Sequence, residues 1–124
     1  NIQPVFFPAH FSAVIHTVCG GGNQTRDFDY AGDIASAIVQ ALPLTGYRTI
    51  NVSTETETSI NDLIHSFEWA IGHKVKVQYV APRPGYIQRS VLSNEELQHI
   101  LHMKPEMTLE QGIACTFDWY KHLM

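Results

Sequence analysis

The sequence predicts a small mixed α/β domain with few strands and about four helices. Three observations carry that prediction. A length of 124 residues suits one domain and is too short for two. Four stretches carry apolar residues at helical spacing between recognisable caps and stops, and two short runs have β-prone or alternating patterns. There is no internal repeat and no low-complexity tract, so 1–124 reads as a single domain.

The first stretch, Asn1 to Cys19, is apolar and irregular, with Pro4, Pro8, Phe6, Phe7 and Phe11, and its period is ambiguous. A Gly20-Gly21-Gly22-Asn23 turn follows. Asp33 to Leu42 then places Ile34, Ala37, Ile38 and Ala41 on one face of a helix that Pro43 ends. Arg48 to Val52 is β-prone and bounded by Gly46 and the polar run 53–58, which predicts a strand.

Ser59 opens the second helix with Asp62 three residues on. Its buried stripe is Ile60, Leu63, Ile64, Phe67 and Ile71, and Gly72 supplies the left-handed stop. Lys74 to Val80 alternates, with Val75, Val77 and Tyr79 on one face of a strand that Pro82 and Pro84 end. A third helix starts at Ser93 with Glu96 as its box partner and Leu97, Ile100 and Leu101 inside. After Pro105 a fourth starts at Thr108 with Gln111, burying Leu109, Ile113, Phe117 and Tyr120.

Composition excludes several functions. Eight Lys and Arg against twelve Asp and Glu give a net charge of −4, and the cations are scattered, which argues against nucleic acid as a partner. No apolar run approaches the roughly 18 residues of a membrane span, and Asn1 to Val5 lacks the basic start of a signal peptide. A cytoplasmic protein is expected, with Cys19 and Cys115 as free, buried thiols. His99 and His102 fall at i and i+3, but no third ligand recurs at metal spacing, so no metal site is assigned. Glu55 and Glu57 read as solvated loop charges.

Two segments have the chemistry to hold an anion. In Gly20 to Phe28 the glycines let backbone approach a ligand, and Arg26 follows at once; such a turn is also simply a turn. In Ala81 to Tyr86 two prolines and Gly85 stiffen the backbone around Arg83, whose planar fork matches phosphate oxygens. A proline-stiffened loop with no ligand is the plain alternative.

Taken together, Gly-Gly-Gly-Asn-Gln-Thr-Arg26-Asp27-Phe28-x-Tyr30-x-x-Asp33, Ile50-Asn51-Val52, Pro82-Arg83-Pro84-Gly85 and Lys104-Pro105-x-x-Thr108-Leu109-Glu110-Gln111-Gly112 resemble one family. It is the nucleotide-sugar epimerases and dehydratases, which are extended short-chain dehydrogenases, and the wording is closest to the UDP-glucose 4-epimerases. The resemblance runs from about Val18 to Trp119 and covers only the family's C-terminal, substrate-binding part. It implies a whole enzyme that interconverts UDP-glucose and UDP-galactose by hydride transfer through NAD and a 4-keto sugar. A related dehydratase or decarboxylase, or a non-catalytic nucleotide-binding module, is the alternative.

The family's NAD-binding Gly-rich turn and its Tyr-x-x-x-Lys pair have no counterpart in these residues: no tyrosine has lysine four positions later. The resemblance therefore implies that this chain alone is catalytically silent, without its own NAD site, and that its natural neighbour is an N-terminal NAD-binding domain. The start at Asn1 is expected of part of a longer enzyme. Self-association is expected through apolar surface on Ile2 to Val18. By resemblance Arg26 and Arg83 grip the sugar nucleotide's diphosphate, Thr17, Val18 and Cys19 line the base, and Asn51 matches the Asn of a Tyr-Asn-Val-Gly strand. The chain departs from the family at Cys19 (usually Tyr or Phe), Gly21 (often Asp) and Tyr86 (usually Asp), where Tyr86 brings a hydroxyl for the ribose or diphosphate. Asp27 reads as satisfying backbone donors and Asp33 as sitting near a helix start.

Overall fold

In the computed structural model, which describes residues 15–122, the last five residues of the ambiguous first stretch form β1 (Ile15–Cys19). His16 and Val18 point into the protein and Ile15 and Thr17 outward, the alternation of a half-buried strand. The rest of that stretch lies outside the described residues. Most of the surface expected to drive self-association lies there too; within it Ile15 is exposed and Val18 buried.

The elements continue with β2 (Thr25–Arg26), α1 (Ala31–Ala41), β3 (Thr58–Ser59), α2 (Ile60–Ile71), β4 (Lys76–Val80), α3 (Glu95–Leu101) and α4 (Leu109–Lys121). β1 pairs in parallel with β4, Cys19 opposite Val80, and β2 pairs antiparallel with β3, Arg26 opposite Thr58. This is the small mixed α/β architecture with four helices and few strands that the sequence predicts.

Helix ends follow local chemistry where the cap is free to act. The Ser59 hydroxyl accepts from the Asp62 amide at 3.0 Å, and Gly72 closes α2 at φ 79°. Thr108 and Gln111 form the reciprocal capping box of α4. At α3 the boundary moves. Its N-cap is Asn94, not Ser93, and the Asn94 amide is buried, donating to the Ser53 carbonyl at 3.0 Å and accepting from Gln98. A tertiary contact has taken the capping side chain.

Two apolar clusters hold the elements together. Leu63 and Phe67 of α2 pack on Ile113 of α4, with Phe28 and Leu109 against them. Ala37 of α1 packs on Leu97 and Leu101 of α3, with Ile50, Val52 and Met103 around them. Phe117 and Tyr120 are half-buried.

Three expectations are corrected. Arg48 to Val52 is not a strand: no other strand of the described residues lies beside it, and β propensity without a paired neighbour does not make a ladder. Ile50 and Val52 instead pack on the α1–α3 cluster from a segment without regular structure. The predicted face of α1 is buried only at Ala37, while Ile38 is 61% exposed, Val39 63% and Leu42 76%. Cys115 is exposed rather than buried; both cysteines are free. Among the described residues no helix is long and apolar enough to cross a membrane.

Candidate functional site

Because β1 and β4 run in parallel, the segments leaving them emerge at the same end. At Cys19 the chain enters the Gly20–Gln24 turn, and at Val80 it enters the Pro82–Tyr86 turn. The Gly20 amide donates to the Val80 carbonyl at 2.8 Å, which joins the two exits. The carboxyl end of parallel strands is where α/β proteins place ligand sites, since loops from neighbouring strands converge there. The sequence contained both segments but not their adjacency.

The glycine turn is braced from within. The Gln24 side chain is buried and donates to the Cys19 carbonyl at 3.0 Å. Asn61 of α2 donates from its side chain to the Gly21 carbonyl at 3.0 Å and from its backbone to the Gly22 carbonyl at 3.0 Å, and accepts from the Tyr79 hydroxyl at 2.9 Å. Gly22 has φ 77°, and a Cβ there would overlap the Asn61 carboxamide. The close approach that glycine permits is thus spent on Asn61, and the turn leads into a strand. This turn therefore offers neither an open cradle nor a helix N-terminus to a dinucleotide's pyrophosphate.

Beyond the turn, β2 carries Arg26. The returning chain lies alongside, with the Thr25 amide donating to the Gln88 carbonyl at 2.8 Å and the Asp27 amide to the Ser90 carbonyl at 3.1 Å. The Arg26 guanidinium carbon sits 5.4 Å from the centre of the Tyr86 ring, and its Nη1 donates to the Thr25 carbonyl at 2.6 Å. Arg83 is exposed and heads a turn in which the Tyr86 amide donates to its carbonyl at 3.2 Å, Gly85 taking φ 73°. Tyr86 therefore touches Arg26 with its ring and the Arg83 turn with its backbone.

The other candidates are more dispersed. Thr17 is exposed and Val18 buried on β1, and half-buried Cys19 ends the strand at the turn. Asn51 is exposed on the coil whose neighbours Ile50 and Val52 pack toward α1 and α3. No hydrogen bond of the described residues joins it to either arginine.

Asp27 satisfies backbone donors as read from the sequence. Its carboxylate accepts from the amides of Thr54 and Glu55 and from the Thr54 hydroxyl. Asp33, in the first turn of α1, accepts from the Met107 amide at 3.3 Å. Between them, burial first and then the Asp27 charge push the Asp29 carboxyl above its ordinary range, the Thr54 backbone opposing and the Asp33 charge adding less.

Two residues of the frame were missed by sequence reasoning. Glu57 is not a freely solvated charge: Arg89 grips it, Nε to both carboxylate oxygens at 3.0 and 3.1 Å and Nη2 at 2.8 Å, and Thr25 donates to it. The Arg89 hydrogen bond holds the Glu57 carboxyl below its usual range. Asn61 had no local signal either, since its partners lie about 40 residues upstream in the glycine turn and 18 downstream at Tyr79.

Among the described residues no group of three or more His, Cys, Asp or Glu is placed to hold a metal ion, and His102 serves as the left-handed cap of α3. A separate cleft of about 540 Å³ lies between the 54–62 stretch and the 104–110 connection. Its lining includes Thr56, Glu57, Asp62, Lys104 and Glu110 and none of the seven candidate residues.

No family model matches the chain. A putative UDP-glucose 4-epimerase of Methanocaldococcus jannaschii is 37% identical to it over 105 residues, covering 85% of this chain and 34% of that protein. The UDP-glucose 4-epimerase of Mycolicibacterium smegmatis is 30% identical over 123 residues, covering 98% of this chain and 39% of that protein. The chain is homologous to the NAD-dependent UDP-sugar epimerases and dehydratases. It spans slightly over a third of the length of these relatives.

The fold agrees with that family. The structure of the UDP-glucuronic acid 4-epimerase of Bacillus cereus, in complex with UDP-glucuronic acid and NAD, superposes with a TM-score of 0.78 at 27% identity. It covers 87% of this chain and 35% of that one. The parallel pairing of β1 with β4 brings the segments that carry Arg26 and Arg83 to one end of this fold.

Proposed function

We propose that the chain is the sugar-nucleotide-binding part of an NAD-dependent UDP-hexose 4-epimerase, with Arg26 and Arg83 as a clamp on the diphosphate. The observation that carries this is the parallel pairing of β1 with β4, which brings both arginine-bearing segments to one end. Two guanidiniums there would supply charge-assisted hydrogen bonds to phosphate oxygens, and by resemblance Thr17, Val18 and Cys19, which lead into the glycine turn, line the base.

In this reading the whole enzyme interconverts UDP-glucose and UDP-galactose. NAD, when bound by the rest of the enzyme, supplies the hydride chemistry at the sugar. This chain's residues supply orientation only, fixing the nucleotide so that the hexose is presented in one direction. The chain alone is silent in catalysis. The isolated chain self-associates through apolar surface that the NAD-binding part would cover, the Ile2 to Val18 stretch expected from the sequence and, beside it as a second candidate, the exposed side of α1 with Ile38, Val39 and Leu42.

Half-buried Arg26 and exposed Arg83 give weak binding once ordering costs are subtracted, so UDP is expected to bind the chain at around millimolar Kd. An NMR titration with UDP and dTDP tests this. Saturable shifts are expected at residues 17–26 and 83–86, with Arg26→Ala and Arg83→Ala each weakening UDP about tenfold. No shifts at millimolar UDP, or shifts that neither substitution weakens, would overturn the clamp.

A further inference from the structure

We propose that Tyr86 is the positioning residue of this site, holding Arg26 by the face of its ring while its backbone closes the turn that displays Arg83. The inference rests on the reading of this end as a diphosphate clamp, and it assigns the device that sets the clamp's spacing.

The Arg26 guanidinium lies within cation–π distance of the Tyr86 ring, and one of its nitrogens is directed at the Thr25 carbonyl. No carboxylate touches it: the ion pairs of the described residues join Lys74 to Glu68, Arg89 to Glu57 and Lys121 to Asp118. Arg89 shows the alternative within the same molecule. There a carboxylate holds the guanidinium by three contacts and neutralises it, whereas at Arg26 a ring face supports the guanidinium and leaves the charge whole. A guanidinium has five N–H donors, so one spent on Thr25 leaves the outer edge for an anion.

The same residue governs Arg83. Arg83-Pro84-Gly85-Tyr86 is a β-turn with proline at the second position and glycine at a positive φ at the third, closed by the Tyr86 amide on the Arg83 carbonyl. Tyr86 is thus the last residue of the Arg83 turn and the platform of Arg26 at once. The Tyr86 hydroxyl has no hydrogen bond among the described residues, so the ring alone supports Arg26 and the hydroxyl takes no part in that.

A ligand with two phosphates uses both arginines and depends on their spacing, while a ligand with one phosphate does not. The full chain is therefore titrated with UDP and UMP as wild type, Tyr86→Phe, Tyr86→Leu, Arg26→Ala and the double variant Tyr86→Leu/Arg26→Ala. Tyr86→Phe is expected to keep UDP affinity within about twofold, and Tyr86→Leu to lower it about fivefold with a smaller effect on UMP. The double variant should bind no worse than Arg26→Ala, because Tyr86 acts through Arg26.

Equal losses for Phe and Leu, or additive losses in the double variant, would mean that Tyr86 touches the ligand itself and would overturn the proposal. The Arg26 side-chain proton shifts of the unliganded chain separate the two layers. Ring-current shifts present in wild type and Tyr86→Phe and absent in Tyr86→Leu establish the platform. Those shifts without UDP binding overturn the diphosphate reading and the role in binding that rests on it. UDP binding without them overturns the role of Tyr86 alone.

Discussion

At the carboxyl end of the β1–β4 pair, the turns are bound to the rest of the chain by Asn61, Gln24, Asp27 and the Arg89–Glu57 pair; along α1, Ile38, Val39 and Leu42 face solvent. The contrast is sharpest between the glycine turn, whose nearest space is filled by Asn61, and Tyr47 just beyond α1, which is 94% exposed. If these turns bind a ligand as proposed, their donors must be fixed before it arrives, and the supporting hydrogen bonds come from the chain itself. An apolar helix face needs only something to cover it, and the described residues supply that cover for one line of side chains, centred on Ala37.

The largest test of this contrast compares the two sides of α1. Leu97, fully buried against Ala37, is expected to cost about 3 kcal/mol when truncated to Ala, read by urea unfolding. Leu42→Ser on the bare side should change stability by less than about 0.5 kcal/mol while shifting sedimentation toward monomer. Equal destabilisation by the two would show that the bare side is covered in solution.

The ligand end has its own internal comparison. Gly22→Ala should cost about 2–3 kcal/mol, since it adds a left-handed penalty to a displaced Asn61, and should move the backbone resonances of Gly21 and Arg26. Gly85→Ala has a similar φ but open space, and should cost about 1 kcal/mol. Matching losses would remove the role given to Asn61.

The smallest effect is electrostatic. The folded-state Glu57 carboxyl titrates below its ordinary value of 4.5 because Arg89 holds it. Its contribution is therefore present above that ordinary value and is lost as pH falls through the lower folded one. Glu57→Gln should lower Tm by about 2 °C at pH 7 and by nothing measurable at pH 2, in melts followed against pH. A pH-independent loss would mean that the carboxylate charge is irrelevant to the frame.

Legibility followed the range of the interactions involved. The caps at Ser59 and Thr108, the Gly72 stop and the Leu63–Phe67 stripe depend on neighbours within a turn or two, and they stand where the pattern put them. Asn94 broke the local rule because Ser53, 41 residues away, competed for its side chain. Arg48 to Val52 has the composition of a strand and no strand beside it. Its half-buried residues found an apolar cluster instead.

By itself the sequence determined the four helices, the presence of two stiffened arginine segments and the family wording that joins them, because each is written in contiguous residues. Tertiary structure alone decided that β1 lies parallel to β4, that Asn61 fills the glycine turn, that Arg89 neutralises Glu57, and that Tyr86 sits under Arg26. Those are pairings between residues 32 to 61 positions apart. Local propensity carries no information on which distant partner will share a hydrogen bond or a ring face; that is set when packing chooses one arrangement over its competitors.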